Sequence, residues 1–93
     1  MTLRYVVAIA AVVLLAGCSR KIEVQSDTTW SGKVNKAFVV GEGNRTYTLK
    51  PSEKCFQFQK GTEAGYLRVK FKHGSGSEPS TTEPFGTIEG CAD

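Results

Sequence analysis

The chain has one histidine, one tryptophan and no methionine after the first residue, and no stretch beyond residue 17 repeats apolar side chains at helical spacing. Each scarcity excludes something. The lone His73 sits beside Gly74 at the mouth of a glycine-rich loop, with no obvious second group to hold it as a general base, so it reads as a solvated surface residue. No Cys-x-x-Cys pair occurs, which removes the usual redox and zinc signatures, and neither a metal nor a cofactor is expected. Glu42, Glu63, Glu78, Glu83 and Glu89 fall mostly in turn-like or loop-like stretches, and no two mark a glycosidase pair. Gly41-x-Gly43 precedes a strand pattern rather than a helix, so it lacks the context in which glycines cradle phosphate. With no catalytic constellation, the expectation is a protein that is not an enzyme. Without a helical period, no helix longer than a turn or two is expected.

A strong excess of one charge is also missing, at 12 Lys+Arg against 9 Asp+Glu. Nucleic-acid binders concentrate a basic field, so that class is set aside. No apolar run is long enough to span a bilayer. Tyr5 to Ala16 is unbroken for twelve residues, short of the roughly 20 a membrane helix needs.

That run, with Arg4 as the only charge before it, has the form of a secretory signal. It closes in Leu15-Ala16-Gly17-Cys18, which resembles the lipobox of bacterial lipoproteins. The resemblance covers the targeting segment alone and implies that residues 1–17 are removed and that Cys18 becomes the acylated first residue. Several acyl chains, at about 0.8 kcal/mol per buried methylene, make a stable membrane anchor. The inner-membrane retention signal of such lipoproteins is typically an aspartate after the cysteine. Ser19 stands there, so outer-membrane placement is expected in a two-membrane host.

Once Cys18 is assigned to lipid, Cys55 and Cys91 remain as a pair, and in an oxidising compartment they are expected to form a disulfide. Such a bridge should stabilise a domain this small by about 4 kcal/mol on the chain-entropy view. Residues 18–27 read as a lipidated tether, reaching about 30 Å if extended, although Ile22 and Val24 alternate in a way that would let part of it join a sheet.

From residue 28 to 93 the pattern is all-β. Trp30 and Val34 share a parity, and Trp30 is expected in the core. Ala37 to Val40 forms a second apolar group, and Gly41 to Asn44 reads as a hairpin turn. Tyr47 and Leu49 lie on one face of a strand stopped by Pro51. Phe56 and Phe58 oppose Cys55, Gln57 and Gln59; after a turn over Lys60 to Gly65, Leu67, Val69 and Phe71 alternate strictly with Tyr66, Arg68, Lys70 and Lys72. His73 to Pro84 offers no apolar side chain to bury and reads as a mobile loop. Phe85 to Ile88 begins a last strand that Cys91 would fasten to a central hairpin. The expected fold is an antiparallel sandwich or barrel of five to seven strands.

The outward row of Tyr66, Arg68, Lys70 and Lys72, with Lys60 near it across the hairpin, is the candidate partner-binding face. It would suit anionic lipid, an anionic surface glycopolymer or an acidic envelope protein, or be merely a solvated strand face. The function expected is that of a lipid-anchored, non-catalytic envelope binding module. An inhibitor of a hydrolase or of phage adsorption is the alternative.

Overall fold

The computed structural model describes residues 20–93. The signal segment 1–17, Cys18 and Ser19 lie outside the described residues. Eight strands follow in order: β1 Arg20–Ser26, β2 Thr29–Val34, β3 Ala37–Glu42, β4 Arg45–Leu49, β5 Cys55–Lys60, β6 Leu67–His73, β7 Ser80–Thr81 and β8 Thr87–Cys91. They build two antiparallel four-stranded sheets packed as a sandwich, β4-β1-β6-β7 against β3-β2-β5-β8. The all-β expectation holds, with one strand beyond its upper bound because the two-residue β7 pairs within the supposed loop.

Alternation decides the core. Ile22, Val24, Leu49, Leu67 and Val69 from the first sheet face Trp30, Val34, Phe56, Phe58 and Ile88 from the second, all buried. Phe58 is the hub: its ring lies edge-on to Trp30 at 5.4 Å and stacks with Tyr47 at 6.3 Å. Trp30 is in the core as its parity implied, 3% exposed, with its indole Nε1 donating to the Gly43 carbonyl at 2.9 Å. The indole lies across Gly41, where a Cβ would come within 2.6 Å of the ring.

Local pattern misassigned the partners. Most of the segment read as a tether is β1, paired with β4 on one side and β6 on the other, so it is an inner strand of its sheet. Gly41 to Asn44 is no hairpin turn: it carries the chain from β3 in one sheet to β4 in the other. Likewise β5 and β6, which read as a hairpin, belong to opposite sheets. The tight hairpin is β2-β3, closed by Asn35 and Lys36 with φ of 53° and 65°. Asparagine tolerates that left-handed backbone, and here its side chain also donates to Thr48 O and accepts from Lys50 N, both at 2.9 Å.

Residues 73–84 are held by polar bonds rather than apolar burial. Val69 N donates to Pro79 O at 3.0 Å, Ser77 N to Cys91 O at 2.9 Å, and Phe71 N to the Glu78 carboxylate at 2.8 Å. Cys55 and Cys91 sit directly opposite each other on β5 and β8 and are joined as a disulfide.

Candidate functional site

Strict alternation in β6 places Arg68, Lys70 and Lys72 on the outward face of the first sheet, as their spacing required. Tyr66 lies just before the strand, where its backbone N donates to Asp27 Oδ1 at 2.9 Å and the Arg68 guanidinium stands 5.3 Å over its ring. β1 and the segment before β7 answer each cation. Arg68 Nε donates to Gln25 Oε1 at 2.7 Å, Lys70 pairs with Glu78 at 3.8 Å, and Lys72 with Glu23 at 3.5 Å. Two of the three cations are thus paired with carboxylates and Arg68 with a neutral amide, so the net field is weaker than the row of cations alone implies. Exposed pairs of this kind add little to stability. A cleft of about 260 Å³ runs beside it between Tyr66, Arg68, Lys70, Glu78, Ser80 and Thr82.

Glu23 shows the local electrostatics. The Gln25 amide, donating to its Oε1 at 2.8 Å, holds its carboxyl below the ordinary range; partial desolvation opposes this and the Lys72 ammonium assists it.

Lys60 is not part of that face. It shares the inward parity of Phe56 and Phe58, is 1% exposed, and lies at the last position of β5, beneath the connection that leads to Tyr66. Its ammonium donates to the carbonyls of Gly65 at 2.7 Å, Glu83 at 2.9 Å, and Glu63 and Thr82 at 3.3 Å. It thus ties the 61–65 and 82–86 connections together. Parity was the signal that pointed inward; the charge of the residue pointed out.

The more conspicuous surface is on the other sheet and carries no polar signature. Among the described residues β3 is an edge strand, paired with β2 alone. Phe38 and Val40 are 69% and 70% exposed on its outward face. The register sets Trp30 opposite Gly41 and Gly32 opposite Val39, and one step further on Gly43 N donates to Thr28 O at 3.2 Å. By antiparallel alternation the backbone groups of Val39 and Gly41 are spent on β2, whereas those of Phe38, Val40 and Glu42 point to the open edge. Beside Phe38 lies a groove of about 160 Å³ over Gly32, walled by Ser31, Lys33, Gln57 and Gln59. Edge strands of soluble proteins usually carry charge, proline or a bulge against unwanted pairing. The central part of this one has none of these. The sequence marked Ala37 to Val40 only as a second apolar group, since an apolar run does not reveal which of its sides is covered.

His73 is exposed, and among the described residues no group of three or more His, Cys, Asp or Glu side chains is placed to hold a metal ion. No family model matches the chain, and no curated protein or solved structure shows significant similarity to it.

Proposed function

We propose that this chain is a lipid-anchored, non-catalytic binding domain of the bacterial envelope, fixed through Cys18 and offering the open edge of β3 to an extended segment of an envelope protein. The anchor rests on the Leu15-Ala16-Gly17-Cys18 motif and the basic, apolar segment before it. The binding role rests on Phe38 and Val40, two large apolar side chains left in water beside a row of outward backbone donors and acceptors. An extended segment laid along this edge would form a fifth strand of the sheet, with main-chain bonds supplying affinity and the groove beside Phe38 supplying selectivity.

Photo-cross-linking in intact envelopes tests this. A cross-linking residue placed at Phe38 should give one defined heavier adduct, and one placed at Arg68 should not. The adduct should disappear in Val40→Pro, which removes one outward N–H without touching the bonds to β2. An adduct of twice the chain's mass would identify a second copy and overturn the proposal of a different partner. Adducts from Arg68 alone would move the binding surface to the β6 face.

A further inference from the structure

The sandwich is electrically polar along its strands. One end gathers the start of β1, the β2-β3 turn, the 50–54 connection and the end of β6, and with them Arg20, Lys21, Lys36, Lys50, Lys54 and Lys72. Among the described residues Glu53, paired with Lys36 at 3.1 Å, Glu23, paired with Lys72 at 3.5 Å, Glu89 and Asp93 oppose them there, so the cations outnumber the carboxylates without excluding them. The opposite end carries Asp27, Glu42, Glu63 and Glu83 against Arg45, Arg68 and the buried Lys60. Near-balanced overall composition hides this separation. Arg20, Lys21, Lys50 and Lys54 take part in no ion pair among the described residues, and Lys50 and Lys54 are exposed.

The chain enters the fold at the basic end. Cys18 is two residues before Arg20, a reach of at most about 7 Å when extended. Acylation of Cys18 would hold that end against the bilayer, within a Debye length of about 8 to 10 Å of the headgroups. The acidic end, roughly 20 Å away along β1, would lie beyond it.

We infer that the basic end is a docking surface for anionic lipid headgroups, which seats the domain upright on the membrane with its strands steep to the surface and its acidic end outward. This rests on the proposed acylation of Cys18. Upright seating also bars antiparallel pairing of β3 with a second copy on the same membrane, because the partner's basic end and its anchor would then point away from the bilayer. The β3 edge is left open to a different protein.

Lysine footprinting of the full acylated chain measures the seating directly. The chain is reconstituted in vesicles of phosphatidylcholine, or of phosphatidylcholine and phosphatidylglycerol in equal parts, and labelled with an amine-reactive reagent. Lys36, Lys50 and Lys54 should react several-fold more slowly in the anionic vesicles, while Lys70, midway along β6, should be unchanged. Salt at about 1 M, where the Debye length falls to about 3 Å, should abolish the difference. Lys50→Glu with Lys54→Glu should remove the protection of Lys36 without altering thermal melting, since both side chains are exposed on a loop. Equal rates in the two vesicles, on protein whose mass shows the acyl chains, would overturn the seating and leave the anchor standing. Protection found on protein whose mass shows no acyl chain would overturn the anchor and leave the basic surface standing.

Discussion

Lys60 brings a charge to a position that is 1% exposed and answers it with four carbonyl oxygens rather than a carboxylate. Lys60→Met keeps the stem and deletes the charge, leaving those carbonyls without a donor. The expected loss is about 2 to 3 kcal/mol, the usual worth of hydrogen bonds to a charged group, and it shows as a melting temperature lower by roughly ten degrees or more. An unchanged melting temperature would mean that the two connections hold without it. Titration supplies a second check at this scale. Burial, opposed in part by Arg45, raises the Tyr47 phenol above its ordinary value. Neutral Tyr47 is thus favoured by folding, so its contribution is complete below about pH 10 and is lost as pH rises through the folded value. Spectrophotometric titration should find a phenol ionising above the ordinary range that Tyr47→Phe removes, and the same substitution should flatten the alkaline fall in stability. The burial of Lys60 escapes the sequence reading, which places it in a turn beside the basic row because of its charge, although its parity with Phe56 and Phe58 points inward. The four carbonyls left no signal in the sequence, because they come from two connections brought together only by the sandwich.

Strand interiors were legible and strand partners were not. Period-two alternation in β5 and β6 says that each has a wet and a dry face, but not whether the two share a sheet, and here they do not. The β2-β3 turn was missed because Asn35-Lys36 lacks the glycine that usually marks such turns. Asn35→Gly should retain the left-handed backbone and lose the bonds to Thr48 and Lys50, costing about 1 kcal/mol; Asn35→Ala, which also strains φ, should cost about 1 kcal/mol more. The orientation of the β3 backbone gives a sharper contrast. Val40→Pro removes an N–H that faces the open edge and should leave melting almost unchanged, whereas Val39→Pro breaks the ladder to β2 and should destabilise by about 3 kcal/mol or more. Equal effects would show that the edge is not the one described. The disulfide also acts at this scale, tying the edge strand β8 to β5 across 36 residues. Converting both cysteines to alanine should lower stability by about 4 kcal/mol on the chain-entropy view, and the melting temperature by well over ten degrees.

Taken whole, the molecule is a sandwich whose two ends differ in charge and whose first inner strand begins two residues after Cys18. A long tether is replaced by near-direct attachment, so any anchor at Cys18 would fix the domain's height and direction as well as its location. Neither feature could be read from composition, because a near-balanced charge count carries no positions and because the charged residues of β1 masked its role as an inner strand. The lipid anchor remains the claim on which location, orientation and access to the β3 edge all depend. Intact-mass measurement of the protein extracted from membranes tests it most directly. The expected species begins at Cys18 and carries a diacylglyceryl group on the thiol, and Cys18→Ser should instead accumulate as the uncleaved precursor that retains residues 1–17. A wild-type protein recovered without acyl chains, or one whose first residue is not Cys18, would contradict the account.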